Sequence, residues 1–469
     1  MQLTDKHILV VGLGRTGVAL ARFLKSRGAA VTITDTAHAA DLASRIALLE
    51  GLDVRTEFGP HRSATFEAAD LILLSPGVPH TLAPLDAARR RGVPVLGEME
   101  LAFRFITEPI VAVSGTNGKT TTTLLVGEML RRSGLRVFVG GNIGDPLIGY
   151  VDRGPRADIV VAEVSSFQLD TTRLFRPRVG ILLNVTPDHL DRYPDFEAYA
   201  RSKAALFANQ TTADVAVLNG DDPNCRGLAP RIASRTLFFN AASAAEAGAT
   251  INHRGIRINW GGRPGAADGA LAADPRRMDL SLAGLPLRGR HNLENIAAAG
   301  LATLAAGGTI EGIRSALGDF RGLPHRLEHV ASINDVDYYN DSKATNPDAV
   351  QRALEAFDVP IVLIMGGRSK STRFDVLQGA LQRRVKSLVL LGEAAEEIAA
   401  ALGPACRGNL HHAATMAAAV RQAAALAAAG EVVLLSPACA SFDMYTSYAL
   451  RGEDFAACVE AMRGRSDGC

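Results

Sequence analysis

The sequence lacks the features that indicate a secreted, membrane-spanning or nucleic-acid-binding protein. Its five cysteines form no CxxC pair and no zinc-ligand spacing, so we expect reduced thiols in a cytoplasmic protein. The net charge is only +1, which leaves no excess of positive charge for nucleic acid or a membrane surface. The N-terminus enters an apolar strand without a signal segment, and no run of about 18 apolar residues occurs. We therefore expect a protein whose partners are small molecules bound at local sites.

The chain does contain enough apolar sequence for several cores. Hydrophobic residues make up 47% of the 469 positions, and this length corresponds to about three domains. Short apolar strands alternate with helical segments along the whole chain, which predicts an α/β fold. We predict Rossmann-like domains at 1–97 and 323–469, with a P-loop mononucleotide-binding domain at 98–322 between them. Residues 241–277 are predicted to form a peripheral β-insertion, with a hairpin at 250–260 and a loop at 261–275.

A glycine-containing turn between a strand and a helix is the main signal for phosphate binding. The stretch 110–123 reads IVAVSGTNGKTTTT, with the helix expected from Thr121 to about Arg132. Backbone N–H groups at such a helix start favour anionic oxygens. Lysine in this position would reach the terminal phosphates of ATP, and the following threonine hydroxyl would bind Mg²⁺. The predicted ATP-binding residues of this turn are Gly115, Thr116, Asn117, Gly118, Lys119 and Thr120.

A second glycine pattern, GxGxxG, lies near the start of the chain. It runs from Gly12 to Gly17 after a predicted strand, and Asp35 ends the next strand. By itself this arrangement predicts a dinucleotide site with Asp35 near a ribose. A nicotinamide dehydrogenase is therefore one alternative, and a nucleotide-binding scaffold without catalysis is another. The dehydrogenase leaves Lys119 and the later SPACAS segment unexplained. The presence together of Lys119, Thr120, Glu163, His189 and Lys203 argues against a scaffold without catalysis.

Nine short motifs, in this order along the chain, resemble the Mur ligase family: SGTNGKTT, GGNIG, EVSSFQL, NVTPDHLDR, GRHNLEN, GLPHRLE, NDSKATNP, IMGGRSK and LLSPACASFD. The first motif is shared with folylpolyglutamate synthase, whereas SSFQL with SPACAS is typical of members that add D-glutamate to UDP-N-acetylmuramoyl-L-alanine. The resemblance implies an ATP-dependent amide ligase of peptidoglycan precursor synthesis that acts through an acyl phosphate. The preference for D- over L-glutamate is implied by the resemblance alone.

The resemblance also implies roles in catalysis and nucleotide binding. The implied catalytic residues are Lys119, Glu163, His189 and Lys203, and Lys203 is expected to be carbamylated. Together with Thr120, the last three would supply ligands to two Mg²⁺ ions. The further implied ATP contacts are Asn292, Asn295, Arg326 and Asp341.

The two remaining substrates are assigned to different parts of the chain. The implied contacts of the UDP-sugar are Arg15, Thr16, Asp35, Thr36, Gly77, Asn142 and His189. The implied contacts of D-glutamate are Asp188, Thr345, Lys370, Ser441, Phe442 and Tyr448. Family members often carry a basic residue at the position of Ala37, so this chain departs from the pattern there. We expect a monomer that binds these small molecules and ATP.

Overall fold

The structure, a computed structural model, consists of three β-sheets covered by helices. It describes residues 1–153, 156–190, 192–240, 247–252, 254–260, 277–281, 289–320, 323–369, 372–406 and 409–466. The chain divides into two compact units. Unit one comprises residues 1–185, 195–283 and 295–318, and unit two comprises 186–194, 284–294 and 319–469. Unit one holds the first two sheets and unit two holds the third.

The first sheet has five parallel strands in the order β3-β2-β1-β4-β5. Its strands are β1 His7–Val11, β2 Ala30–Asp35, β3 Val54–Phe58, β4 Leu71–Leu74 and β5 Val95–Gly97. Its helices are α1 Arg15–Ser26, α2 Ala43–Ile46, α3 Ser63–Glu67, α4 Ala83–Arg90 and α5 Glu98–Phe103. The strand order reverses between β1 and β4, and ligands of open parallel sheets bind at such a switch point.

The second sheet has nine strands in the order β14-β13-β12-β11-β10-β9-β6-β8-β7. Its strands are β6 Ile110–Ser114, β7 Val137–Gly141, β8 Ile159–Glu163, β9 Val179–Leu182, β10 Val215–Asn219, β11 Arg235–Phe239, β12 Gly248–Asn252, β13 Gly255–Asn259 and β14 Arg277–Ser281. The next helices along the chain are α6 Lys119–Arg132, α7 Leu147–Asp152, α8 Ser166–Leu169, α9 Phe196–Ala204, α10 Pro223–Leu228, α11 Arg290–Ala305 and α12 Ile310–Asp319. Antiparallel β12 and β13 form the hairpin predicted at 250–260, while the loop predicted at 261–275 lies outside the described residues.

The third sheet has six strands in the order β15-β16-β20-β17-β18-β19. Its strands are β15 Glu328–Ile333, β16 Val336–Asn340, β17 Ile361–Gly366, β18 Val385–Leu391, β19 Leu410–His412 and β20 Val432–Leu435. Its helices are α13 Pro347–Leu354, α14 Gln378–Arg384, α15 Ala395–Leu402, α16 Met416–Leu426 and α17 Tyr448–Ser466. Successive residues of β17 enter the apolar cores on opposite faces of the sheet, as the period of a strand requires.

The three sheets confirm the predicted three-part α/β fold. Buried strands such as β6, β8 and β17 are apolar almost throughout because helices or neighbouring chain cover both of their faces. No described helix is both long enough and apolar enough to cross a bilayer. Some charged and amide side chains are nevertheless buried, and many of them lie at the carboxyl ends of the strands.

Candidate active site

The turn between β6 and α6 in unit one has the geometry of a phosphate cradle. Gly118 precedes the helix with φ of 86°, and Gly115 has φ of 150°, so both use backbone conformations that favour glycine. A Cβ atom on Gly118 would lie 2.4 Å from Oδ1 of Asn295. The Lys119 ammonium folds over the turn and donates to the carbonyl oxygens of Gly115 and Thr116, each at 2.9 Å. The turn therefore brings one cation and the N–H groups of a helix start to the same place.

Asn184, for which the sequence predicted no role, holds this turn in place. It follows β9, the strand beside β6 in the sheet. Its Oδ1 accepts the N–H of Asn117 at 2.8 Å, and its Nδ2 donates to the Asn117 carbonyl at 3.1 Å. Its own carbonyl accepts the N–H of Thr116 at 3.0 Å. The signal that could have identified Asn184 is its position in the NVTPDHLDR motif, directly after a buried apolar strand.

Glu163, at the end of β8, is buried with one carboxylate oxygen unsatisfied. The amide of Asn142 donates to its Oε1 at 2.8 Å. Its Oε2 is buried and has no hydrogen-bond partner among the described residues. Leaving a buried charged oxygen without a donor is costly, and a hard divalent cation would satisfy it. These residues therefore fit the predicted Mg²⁺, to which the half-buried Thr120 of α6 would add a hydroxyl ligand.

No group of three or more His, Cys, Asp or Glu side chains among the described residues is placed to hold a metal by itself. The predicted ligand set contains only two residues of these types, Glu163 and His189. Magnesium keeps several waters and phosphate oxygens in its coordination shell. A small protein contribution is therefore compatible with this ion.

Lys203 is not a solvent-exposed lysine. It lies on α9, whose first turn is capped by the Asp195 side chain accepting the N–H of Ala198 at 2.7 Å. Its side chain is only 1% exposed, and its ammonium donates to the Gly115 carbonyl at 2.8 Å. The same ammonium lies 4.7 Å from the ring centroid of Tyr199. Helix α9 thus delivers a second lysine to the phosphate-cradling turn.

A cavity of about 580 Å³ opens at the switch point of the first sheet. Five of the predicted UDP-substrate residues line it: Thr16, Asp35, Thr36, Gly77 and Asn142. Gly14 also lines it, and a Cβ atom at that position would meet nothing within 4 Å, so the helix start of α1 is open to a ligand. Arg15 is not among the lining residues; its side chain is 73% exposed and lies 3.5 Å from Asp145.

Within this cavity the predicted acid and an unpredicted histidine have defined partners. Asp35 accepts the N–H of Leu13 at 2.7 Å through Oδ2 and the N–H of Ala37 at 3.0 Å through Oδ1. The carboxylate therefore fixes the glycine-rich turn. His61 also lines the cavity, with Nδ1 2.9 Å from the Thr34 hydroxyl. Burial lowers the pKa of His61, although the charge of Asp35 opposes this shift, so its imidazole is neutral at pH 7.

In unit two, Asp341 is a buried acid directly after β16. Burial raises its pKa to about 7, against the opposing effect of the Arg326 charge. The Ser436 hydroxyl donates to its Oδ2 at 2.8 Å, and the N–H of Leu327 donates to Oδ1 at 3.3 Å. The predicted ATP contacts Arg326 and Asp341 are thus electrostatically coupled. Asn292, the other predicted ATP contact in this unit, is buried in the first turn of α11.

Asp188 and His189 form a short polar segment of unit two. His189 has φ of 56°, a left-handed conformation that is uncommon for residues other than glycine and is enriched at functional sites. The N–H of His189 donates to Oδ1 of the preceding Asp188 at 2.9 Å. The amide of Asn346, which had no predicted role, donates to Oδ2 of Asp188 at 3.3 Å. Asn346 belongs to the NDSKATNP motif, and that membership was the available signal.

The predicted D-glutamate residues of the third sheet lie on loops that follow its strands. Thr345 follows β16, while Ser441 and Phe442 follow β20. Ser441 is buried, whereas Phe442 is 64% exposed and Tyr448, the first residue of α17, is partly exposed. Lys370 lies outside the described residues.

Three models of Mur ligase domains match the chain. The Mur ligase MurD-like N-terminal domain matches residues 6–97, the Mur ligase middle domain matches 113–303, and the Mur ligase glutamate ligase domain matches 325–439. Two curated relatives are called UDP-N-acetylmuramoylalanine--D-glutamate ligase. The one from Desulfosudis oleivorans is 50% identical over 99% of this chain and 98% of its own, and the one from Desulfatibacillum aliphaticivorans is 49% identical over 98% and 100%.

Solved structures show the same fold at lower identity. The UDP-N-acetylmuramate-alanine ligase MurC of Thermotoga maritima has a TM-score of 0.59 at 20% identity, covering 98% of this chain and 100% of its own. MurF of Acinetobacter baumannii has a TM-score of 0.60 at 16% identity, covering 97% and 91%. The two relatives cover nearly the whole sequence, and the three family models together match well over half of it. The chain belongs to the Mur ligase family.

Proposed function

We propose that this protein is an ATP-dependent ligase that joins D-glutamate to UDP-N-acetylmuramoyl-L-alanine in peptidoglycan precursor synthesis. The observation that carries the proposal is the turn of unit one, where Lys119 and the unsatisfied oxygen of Glu163 offer a cation and a metal ligand to a nucleoside triphosphate. The name shared by relatives that are up to 50% identical supports the choice of acceptor and amino acid. The nicotinamide dehydrogenase alternative is set aside, because family membership extends over all three parts of the chain.

Amide formation from a carboxylate requires activation, since a carboxylate is a poor electrophile. The acceptor carboxylate takes the γ-phosphoryl group of ATP, the bond to ADP breaks, and an acyl phosphate forms. The amine of glutamate then attacks the carbonyl carbon and loses a proton, and phosphate leaves. Such phosphoryl transfer depends on positioning and charge neutralisation. Here the turn from Gly115 to Gly118 would orient the phosphates, and Lys119 would exchange its loop carbonyls for phosphate oxygens.

Thr120 and Glu163 would hold the Mg²⁺ ion of ATP, and His189 would be a ligand of a second Mg²⁺ ion. When bound, Mg²⁺ neutralises charge on the phosphate oxygens. Asn142 orients the Glu163 carboxylate through its hydrogen bond to Oε1, so that Oε2 stays available. The protein thus presents a fixed oxygen ligand without needing to rearrange.

Lys203 acts as a carbamate in this proposal. The ammonium groups of Lys119 and Lys203 both donate to the Gly115 carbonyl, so they lie within roughly 6 Å of each other. At an effective dielectric constant of about 20, two positive charges at that separation repel by about 3 kcal/mol. Addition of the uncharged Lys203 amine to CO₂, with loss of a proton, forms an N–C bond and yields an anion. The repulsion then becomes an attraction, and the new oxygens become available to Mg²⁺.

The carbamate has its own test. Protein equilibrated with ¹³C-labelled CO₂ should show a carbamate carbon signal by NMR that is absent in Lys203→Ala. Lys203→Ala should be nearly inactive, and short-chain carboxylates should restore part of its activity by supplying oxygens. The assignment would be contradicted if Lys203→Ala kept full activity and still showed the carbamate carbon signal.

The UDP-sugar is assigned to the cavity at the first sheet, and the open helix start at Gly14 supports this assignment for its diphosphate. D-Glutamate is assigned to the loops of the third sheet, with Lys370 supplying a positive charge for a carboxylate. The proposal further places the protein in the cytoplasm as a monomer. Size-exclusion chromatography with light scattering tests the oligomeric state.

A paired assay of phosphate release tests the main proposal. ATP and UDP-N-acetylmuramoyl-L-alanine are held at saturation while D- or L-glutamate is added, with omission of each substrate as a control. We expect release that requires all three substrates and is at least tenfold faster with the D-isomer. Equal or faster release with L-glutamate, or release that does not need the UDP-sugar, would overturn the proposal.

A further inference from the structure

A buried arginine near the C-terminus has no role in the site described above. Arg451 lies in the first turn of α17, and its side chain is 2% exposed. Burial lowers its pKa to about 10, so the guanidinium remains charged at neutral pH. Charged side chains are almost never fully buried unless they are well paired, so its partners indicate what it does.

The partners of Arg451 are the ends of three adjacent strands. Nη2 donates to the Ser342 carbonyl at 2.8 Å, and Nε donates to the Ser342 hydroxyl at 3.0 Å. Nη1 donates to the Cys439 carbonyl at 3.1 Å and to the Gly366 carbonyl at 3.4 Å. Ser342 follows β16, Gly366 ends β17, and Cys439 follows β20, which lies between the other two strands in the sheet. One side chain therefore connects the loops of three neighbouring strands.

The surrounding chain is shaped to admit this guanidinium. Gly367 has φ of 131°, and a Cβ atom there would lie 3.0 Å from Nη1 of Arg451 and 2.2 Å from the Ala440 carbonyl oxygen. The Ser342 hydroxyl also donates to the Tyr448 carbonyl at 2.8 Å, which ties the loop after β16 to the start of α17. A side chain at position 367 would displace the guanidinium, so glycine at this position leaves the space that Arg451 occupies.

Each of the three connected residues lies shortly before a predicted D-glutamate contact. Thr345 comes three positions after Ser342, and Ser441 comes two positions after Cys439. Lys370 comes four positions after Gly366 in the sequence. We propose that Arg451 is a positioning residue that sets the relative placement of the three loops that bind the incoming amino acid. This inference rests on the proposed function.

Arginine is suited to this task because its planar group holds several donors in a fixed fork, whereas lysine offers a single point charge. A shift of about 1 Å in a substrate-positioning group lowers rate by about 100-fold. Burial raises the pKa of the neighbouring Asp341 and the charge of Arg451 opposes this shift, but hydrogen bonds from other groups hold that residue in place. The N–H of Asp341 donates to the Leu435 carbonyl at 2.8 Å, and the Ser436 hydroxyl donates to its carboxylate. Loss of the Arg451 bonds should therefore affect the amino acid far more than ATP.

The test compares Arg451→Lys, Arg451→Met and Ser342→Ala in the full-length protein, with the KM of each substrate measured at saturation of the other two. The KM for D-glutamate should rise about 10–100-fold in Arg451→Met and less in Arg451→Lys. It should rise about 3–10-fold in Ser342→Ala, which removes only the hydroxyl. The KM values for ATP and the UDP-sugar should stay within about threefold of wild type in all three variants.

Leu402→Ala is the matched control. Leu402 is fully buried in the core of the same sheet, at the end of α15, so its truncation to alanine destabilises the fold. It should lower the unfolding temperature without raising the KM for D-glutamate selectively. If the position 451 variants do not fold, Ser342→Ala decides the matter alone.

Two unfavourable outcomes are distinguishable. If wild-type protein turns over D-glutamate but the variants change all three KM values equally, or resemble Leu402→Ala, then Arg451 is a structural residue and only this inference fails. If wild-type protein does not turn over D-glutamate with ATP and the UDP-sugar, the proposed function fails and the inference fails with it.

Discussion

Replacing Glu163 with glutamine should reduce activity severely while leaving the fold intact or slightly more stable. The variant keeps the shape of the side chain and an oxygen that accepts from Asn142. It removes the negative charge from the buried Oε2 position, which has no donor among the described residues. Burial of a charge costs more than burial of a neutral amide, so stability without Mg²⁺ should rise by about 1 kcal/mol. Loss of a group that stabilises transferring charge should lower kcat by about 100–1000-fold.

Glu100 provides the matched control because its carboxylate is equally buried but fully bonded. Its Oε2 accepts the N–H groups of Arg173, Leu174 and Phe175 at 2.9, 3.0 and 3.0 Å. Its Oε1 accepts from Nη2 of Arg104 at 2.8 Å. In Glu100→Gln the amide NH₂ must face either these N–H donors or the guanidinium. Breaking such a buried charged network costs about 3–5 kcal/mol.

The assay pairs thermal unfolding with phosphate release over a range of Mg²⁺ concentrations. At about 2–4 °C per kcal/mol, Glu100→Gln should lower the unfolding midpoint by about 6–20 °C, while Glu163→Gln should leave it unchanged or raise it by a few degrees. Added Mg²⁺ and ATP should stabilise wild-type protein more than Glu163→Gln. Glu163→Gln activity within about threefold of wild type at saturating Mg²⁺, or a midpoint lowered as far as that of Glu100→Gln, would refute the reasoning.

Three further predictions concern unit one. Lys119→Ala should abolish turnover, while binding of the UDP-sugar measured by calorimetry should stay nearly intact. The reason is that Lys119 lies at the turn after β6, whereas the cavity assigned to the UDP-sugar lies at the first sheet. Activity within a few-fold of wild type would show that Lys119 does not belong to the ATP site. Burial raises the pKa of Glu98 from 4.5 to about 7. Wild-type protein should therefore lose stability relative to Glu98→Gln as the pH rises from 4.5 through 7, and the total loss should be on the order of 3 kcal/mol. Unfolding midpoints of both proteins between pH 4 and pH 8.5 measure this difference, and a difference independent of pH would contradict it. His61→Leu should raise the KM for the UDP-sugar about 5–10-fold and leave the KM for D-glutamate unchanged, because a neutral imidazole that lines the cavity is lost; equal changes in both constants would argue against a role in binding the UDP-sugar.

Local patterns in the sequence determined the fold class and the nature of the turn after β6. Apolar strands of four or five residues, each followed by glycine or polar residues, indicate a parallel sheet because both of its faces are buried. The start of α6 was predicted at Thr121, but the helix begins at Lys119, because Gly118 in its left-handed conformation already turns the chain. The motif order in the sequence also indicated family membership, since the matching domain models cover seven of the nine motifs in full and part of the other two.

Only the tertiary structure decided which polar groups meet inside the protein. Asn184 bonds to a turn 67 positions away, and Arg451 bonds to Ser342 across 109 positions. No periodicity links such residues, because a buried polar side chain is held by whichever partner the strand order places beside it. The burial of Lys203 and the unsatisfied oxygen of Glu163 were likewise invisible in sequence. Local sequence determines which segments become strands, whereas sheet order determines which strand ends are neighbours, and the site consists of those ends.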